Sequence, residues 1–242
     1  MVRAAAVLAL LTALAVYYAV AERLPNPSLW VEVAFLSLVL LPAVFLLVWL
    51  FLPLWHEGTW RLGWAVAVLA AVTAVLELLD LDVAANFTKL AAVTAAGWWF
   101  LGFFEAASWV LLVAILIIPV DILSVERGPT KHIVEEQPQL FDLLSIGFPI
   151  PGEHASAQLG LPDILFFALF LGAADRFGLR VAWTWIAMVL SFGLTLATAV
   201  WLDVGGLAAL PLLSAAFVIP NADLLWRSFR SARQENPGPP PG

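Results

Sequence analysis

Two aspartates, Asp121 and Asp163, are each the sole acid inside a long apolar run. An ionisable group within hydrocarbon costs at least ~2.5 kcal/mol, so an acid at such a position is by default a candidate functional residue. Two carboxyl groups held a few ångströms apart cannot both ionise and therefore share a proton. One carboxylate then acts as general base on a water, and the other acts as general acid toward a carbonyl. The pair therefore predicts hydrolysis at a carbonyl group.

The predicted helices place both aspartates at similar depth. Asp121 should lie roughly 6–8 Å below the end of an outgoing helix, and Asp163, about six residues into the next helix, roughly 9 Å below the same face. An alternative stays open, in which each aspartate caps or pairs a group at its own helix end. Asp163 directly follows Pro162, a position that suits a capping residue.

The composition predicts an integral membrane protein with an all-α fold. Hydrophobic residues make up 63% of the chain and charged residues 12%, and the mean hydropathy is +0.97. Several runs reach the roughly 20 apolar residues that a spanning helix needs, without the alternation of a membrane barrel. A net charge of −7 gives no indication of a nucleic-acid partner. The absence of cysteine excludes disulfides and thiol catalysis, and no cofactor or metal site is predicted.

We predict a polytopic bundle of about eight spans, with seven or nine as alternatives because only Glu105 separates the fourth from the fifth. The predicted spans are residues 4–20, 31–52, 62–79, 87–104, 106–123, 157–174, 181–201 and 205–225. Residues 1–104 form an N-terminal four-helix part, and residues 105–226 form a second part with a polar connection at 126–156. A short interfacial helix is predicted near residues 140–146, and a disordered tail at 227–242.

The first span has two interpretations. It begins with a basic residue and ends in a small-residue stretch that suits a signal-peptidase site after Ala21. Its apolar part is long for a cleaved signal, which favours a retained helix.

Three stretches, "IIPVDILSV", "GLPDILFF" and "GGLAALPLLS", together resemble the motifs of one family. The presenilin and signal-peptide-peptidase family of GxGD-type intramembrane aspartyl proteases has a Tyr-Asp motif ending one helix, a Gly-x-Gly-Asp motif opening the next, and a Pro-Ala-Leu motif opening the last. The resemblance covers about residues 107–225, and the chain looks like a divergent, prokaryotic-like member. It implies catalytic roles for Asp121 and Asp163. It also implies a substrate-binding set, which consists of Gly160, Leu161, Pro162, Ala208, Ala209, Leu210 and Pro211.

The three motifs also depart from the family pattern. Val120 stands at the tyrosine, Pro162 at the second glycine, and Ala208 at the first proline of the third motif. A proline at 162 removes a backbone N–H and fixes φ where the family has a flexible glycine. The fit of Pro162 to the local backbone therefore bears on activity.

The resemblance implies hydrolysis of peptide bonds within single transmembrane helices, such as signal-peptide remnants. The partners would be transmembrane peptides and the lipid bilayer. Backbone freed near Pro211 is expected to pair with an extended substrate strand. The alternatives are a non-catalytic homologue that binds membrane segments or conducts ions, and a proton-coupled transporter.

Basic residues predict the orientation of the chain in the membrane. With eight spans, seven basic residues fall on one side and four on the other. We therefore expect both termini in the cytoplasm and the connection between the aspartates outside, in a multi-pass protein of the cell membrane.

Overall fold

The computed structural model describes residues 2–127, 143–204 and 206–235. It is mostly helical, which confirms the predicted class in outline. The α-helices are α1 Val2–Val20, α2 Leu29–Phe35, α3 Leu41–Phe51, α4 Thr59–Leu78, α5 Asp82–Leu101, α6 Ala107–Arg127, α7 Leu161–Arg176, α8 Val181–Trp201, α9 Leu210–Val218 and α10 Ala222–Glu235. A π-helical turn, Leu36–Leu40, joins α2 to α3, and 3₁₀ turns occupy Ala21–Arg23, Leu52–Glu57 and Ile219–Asn221. Two antiparallel strands, β1 Ser145–Pro149 and β2 Ser156–Gly160, form a hairpin before α7.

Within the described chain, five helical segments are long and apolar enough to cross a membrane. They are Arg3–Arg23, Leu29–Glu57, Thr59–Leu78, Ala107–Val125 and Val181–Trp201. Their outer surface is apolar as well, since Trp64, Val68 and Val72 of α4 are exposed along one face. These features suggest association with a membrane. The predicted count of eight spans is confirmed only in part.

Helix α7 forms the centre of the bundle because it is apolar on every side. Residues 167–174 are all buried, as expected of a helix that is surrounded by other helices. The ring of Phe167 lies 4.1 Å from that of Phe45 on α3, and Phe170 stacks on Phe217 of α9 with a centroid separation of 4.7 Å. The helix that carries Asp163 is therefore held by packing on several sides.

Glycine permits an unusually close approach between α5 and α7. A Cβ atom at Gly97 would lie 2.6 Å from the backbone oxygen of Leu165 and 3.0 Å from the Cβ of Ala168. On the other helix, a Cβ at Gly172 would lie 2.9 Å from side-chain atoms of Trp98 and Leu101. Small residues at helix contacts allow this backbone proximity.

The predicted sixth span, 157–174, begins too early. Residues 157–160 belong to β2, and α7 begins at Leu161. The last ladder bond runs from the Leu161 N–H to the Leu144 carbonyl, at 2.9 Å. Pro162 has no N–H with which to extend the ladder, but it suits the first turn of a helix. Asp163 thus lies in the first turn of α7 rather than six residues inside a span.

The predicted last span, 205–225, is also wrong as one continuous helix. Helix α9 ends at Val218, and Pro220 lies in the 3₁₀ turn before α10, because proline cannot supply the N–H that an α-helix interior needs. Of the predicted disordered tail, residues 227–235 are helical, and residues 236–242 lie outside the described chain. In the predicted interfacial helix, Ser145 and Ile146 are strand residues, and residues 140–142 lie outside the described chain.

We expect Gly97→Ala to lower the free energy of unfolding by about 1–3 kcal/mol, because the added methyl group overpacks a tight contact. The unfolding temperature in detergent measures this effect. Gly206→Ala is the matched control, since a Cβ there would meet nothing within 4 Å. Equal unfolding temperatures for the two variants would contradict the close packing of α5 on α7.

Candidate functional site

The hairpin runs into α7 without a linker, and its register fixes which backbone groups face outward. Ser145 is opposite Gly160, Gly147 opposite Gln158, and Pro149 opposite Ser156. The hydrogen-bonded pairs alternate from Leu144–Leu161 at one end to Ile150–Ala155 at the other. The backbone groups of Ser145, Gly147 and Pro149 therefore face away from β2. Strand β1 is mostly buried, whereas β2 is the more exposed strand.

Asp163 is the third residue of α7 and is half-buried. Its carboxylate accepts a hydrogen bond from the backbone N–H of Gly160, the residue at the N-cap position. A Cβ at Gly160 would stand only 3.3 Å from Oδ2 of Asp163. A third-position acid that accepts from the N-cap N–H is half of a capping box. The capping interpretation of Asp163 thus rests on a real contact.

Pro162 fits the backbone at the start of α7. It is the second residue of the helix and is exposed. The first N–H groups of a helix have no partner inside the helix, so a proline there removes no helical hydrogen bond. The departure from the glycine of the family motif is therefore compatible with the local fold.

Asp121 is tied to the third motif by a hydrogen bond. It lies on α6, two residues after Pro119, and is half-buried. Its Oδ2 accepts from the backbone N–H of Leu210, the first residue of α9, at 3.0 Å. A helix N-terminus presents N–H groups without helical partners and favours a negative charge. Asp121 therefore fixes the start of α9 against α6.

The structure brings Asp121 and Asp163 together. Helices α6, α7 and α9 contact one another, and the two carboxyl groups are close enough to interact electrostatically. The arrangement can supply a general base and a general acid to one reacting carbonyl.

The third motif begins in non-helical backbone. Residues 206–209 are irregular, and α9 starts at Leu210 with Pro211 as its second residue. The expected freeing of helical backbone by Pro211 does not occur, because a proline in the first turn interrupts no helical bond. Non-helical backbone is nevertheless present, just before α9 rather than within a helix. Ala209 and Leu210 are buried, whereas Ala208 and Pro211 are half-buried.

Of the remaining predicted substrate-binding residues, Gly160 and Leu161 lie at the junction of β2 and α7 beside Asp163. The Asp121–Leu210 hydrogen bond links this junction region to the third motif through the aspartate pair. The seven predicted residues thus belong to two segments that flank the aspartates.

Sequence reasoning missed a buried lysine near the hairpin. The side chain of Lys89 on α5 is only 7% exposed, and its Nζ lies 2.6 Å from Oε1 of Glu77 on α4. Lys89 Nζ also donates to the carbonyl oxygen of Ser145, at 3.5 Å. A lysine in the middle of an otherwise apolar helix was the available signal.

In residues 2–127, 143–204 and 206–235, no group of three or more His, Cys, Asp or Glu side chains could hold a metal ion. No family model, curated protein or solved structure matches the chain. The geometry of the two aspartates and their surroundings is therefore the basis for inferring a function.

The proximity of the aspartates predicts a cross-link. Because the chain has no cysteine, the double variant Asp121→Cys/Asp163→Cys should react with a short bifunctional thiol reagent to give an internal bridge, detected by mass spectrometry. Asp121→Cys/Asp175→Cys is the control, since Asp175 lies about 18 Å further along α7 at 1.5 Å per residue. Equal bridging in both variants would contradict the pairing.

Proposed function

We propose that the chain is an intramembrane aspartyl protease of the GxGD type. The observation that carries the proposal is the placement of Asp121 and Asp163 on contacting helices and within electrostatic range of each other, directly after the β1–β2 hairpin. The resemblance of the three motifs to the presenilin and signal-peptide-peptidase family supports it. The second half of the bundle, α6 to α9, would then be a presenilin-like catalytic part.

The two carboxyl groups would divide the work of hydrolysis. The ionised carboxylate removes a proton from water as the water attacks the scissile carbonyl carbon, while the protonated group donates to the carbonyl oxygen. Collapse of the tetrahedral species breaks the C–N bond as the first carboxyl group passes the water-derived proton to the leaving amine, and a hydroxyl of the tetrahedral species returns a proton to the second carboxylate. The pair is then ready for a second water.

A substrate helix must unwind before this reaction, because its carbonyl groups are engaged in internal hydrogen bonds. Strand β2, the more exposed strand of the hairpin, ends at Gly160 and is followed at once by Leu161 and Pro162. Residues 206–209 supply non-helical backbone beside the same site. An extended peptide would add to such backbone by strand pairing. This supports binding roles for Gly160–Pro162 and for Ala208–Pro211.

The five apolar segments support a multi-pass protein embedded in a bilayer. Its substrates would be single transmembrane helices, including remnant signal peptides. Both termini would lie in the cytoplasm, with the connection between α6 and α7 on the outer side of the cell membrane.

A non-catalytic homologue is the second candidate, and a specific observation favours it. Each aspartate accepts a hydrogen bond from a backbone N–H at a helix start, Gly160 for Asp163 and Leu210 for Asp121. These contacts alone would justify both residues as structural caps. The two candidates differ in whether removal of the charge abolishes a reaction or only weakens the fold.

We expect Asp121→Asn and Asp163→Asn each to lower the rate of cleavage of a single-pass reporter by about 10²–10⁴-fold, because either change removes proton transfer. Cleavage by purified protein in liposomes, followed by mass spectrometry of the products, gives the rate. Asp175→Asn is the control, as this residue accepts from Trp55 Nε1 at the opposite end of α7. Undiminished cleavage by either Asp121→Asn or Asp163→Asn would overturn the protease proposal.

Pro162→Gly should keep cleavage while lowering the free energy of unfolding by about 0.4–1 kcal/mol, because glycine increases the freedom of the unfolded chain. Parallel cleavage and thermal-unfolding measurements test this expectation. If Pro162→Gly cleaved the reporter and the native chain did not, proline would be shown to block the site.

A further inference from the structure

The outer edge of β1 is covered by polar side chains from the N-terminal helices. Its outward backbone groups belong to Ser145, Gly147 and Pro149, which alternate along the strand. Pro149 has no N–H, so it offers only a carbonyl on this edge. A strand edge with unpaired N–H and C=O groups would otherwise be a template for pairing.

Two consecutive tyrosines of α1 bind two of these carbonyl groups. The hydroxyl of Tyr17 donates to the carbonyl of Pro149 at 2.6 Å, and the hydroxyl of Tyr18 donates to the carbonyl of Gly147 at 3.0 Å. Tyr18 is almost fully buried, so loss of its hydroxyl would leave a buried acceptor without that donor.

Two side chains of α5 bind two further groups of the same edge. The N–H of Gly147 donates to Oδ1 of Asn86 at 3.3 Å, and Nζ of Lys89 donates to the carbonyl of Ser145 at 3.5 Å. Asn86 and Lys89 are three residues apart and therefore share one face of the helix. The Lys89 ammonium is itself held by Glu77 of α4 at 2.6 Å.

These contacts determine where the start of α7 lies. The pairing of β1 with β2 places Ser145 opposite Gly160, and the Gly160 N–H binds Asp163. A displacement of β1 would thus carry Gly160 and Asp163 away from Asp121.

We propose that Tyr17, Tyr18, Asn86 and Lys89 form a polar latch that closes the outer edge of β1 and positions Asp163 against Asp121. None of the four is assigned to the reaction itself, so they are positioning residues. The placement of the hairpin stands on the contacts alone, and the effect on turnover rests on the proposed function. A corollary is that α1 is required in the mature protein, because cleavage after Ala21 would remove both tyrosines.

Hydrogen exchange of the hairpin amides tests the latch without any need for activity. In lipid nanodiscs, the double variant Tyr17→Phe/Tyr18→Phe and the single variant Asn86→Leu should each accelerate exchange in peptides covering residues 145–161 by about fivefold or more, as expected for the loss of a hydrogen bond. Asn86→Asp keeps an acceptor oxygen and should restore native exchange.

The controls remove hydroxyl groups of the same helices that bind only within their own helix. Thr12 on α1 donates to the Leu8 carbonyl, and Thr88 on α5 donates to the Ala84 and Ala85 carbonyls. Thr12→Val and Thr88→Val should leave exchange in the hairpin unchanged. Native exchange in both the tyrosine double variant and Asn86→Leu would overturn the latch.

A second measurement separates positioning from substrate binding. In the reporter assay, Asn86→Leu should lower kcat with KM nearly constant, and Asn86→Asp should recover kcat. Equal kcat in native protein and Asn86→Leu, despite faster exchange, would overturn the positioning role. If the native chain cleaves no reporter, the protease proposal fails, while the exchange data still decide whether the latch holds the hairpin. If exchange also rises throughout α8 in Tyr17→Phe/Tyr18→Phe, that variant has loosened the bundle as a whole. The comparison of Asn86→Leu with Asn86→Asp then decides whether the latch holds the hairpin.

Discussion

The absence of a linker between β2 and α7 is the constraint on which the site depends. Gly160 ends the strand and Leu161 begins the helix, so any movement of the hairpin also moves Asp163. Helix α7 is also buried along residues 167–174 and therefore cannot shift without repacking its neighbours. A rigid helix and a strand held at its outer edge together define where one carboxyl group lies. The glycines at 97 and 172 belong to the same constraint, because they let α5, which carries two of the edge contacts, approach α7 closely.

The second carboxyl group is fixed by a different route. Asp121 is on α6, which precedes the polar connection in the chain. The hydrogen bond that Asp121 accepts from the Leu210 N–H fixes this aspartate to the start of α9. Proline occupies the second position of both α7 and α9. At this position proline supplies a suitable φ and needs no acceptor. Both motifs thus use a proline-containing first turn near an aspartate, which explains why Pro162 and Pro211 are structurally acceptable in a site that also contains irregular backbone.

The aspartates were predictable because their signal is local. An acid within a long apolar run is conspicuous, and α8 was likewise predicted at its observed bounds, Val181–Trp201, from an uninterrupted apolar segment between polar turns. The hairpin was not predictable in this way. Residues 157–160 directly precede an apolar run and read as part of its helix, while their strand partners, residues 145–148, lie 9 to 15 positions earlier. The importance of Lys89 was equally hidden, since its contact with Ser145 joins residues that are 56 positions apart. Composition fixes the environment of a segment, but pairing across the chain depends on tertiary contacts.

The partners of the acids distinguish the aspartate pair from the other charges of the bundle. Glu77 binds Lys89 at 2.6 Å, and Asp223 binds Arg180 at 2.6 Å. A cationic partner favours the ionised carboxylate and opposes its protonation. The partners described for Asp121 and Asp163 are backbone N–H groups, which orient a carboxyl group without adding a full positive charge, and the two acids interact with each other. A carboxyl group that must alternately accept and release a proton requires this kind of environment. The capping contacts and the proposed chemistry are therefore compatible, because the same N–H groups that begin α7 and α9 hold the carboxyl groups in place.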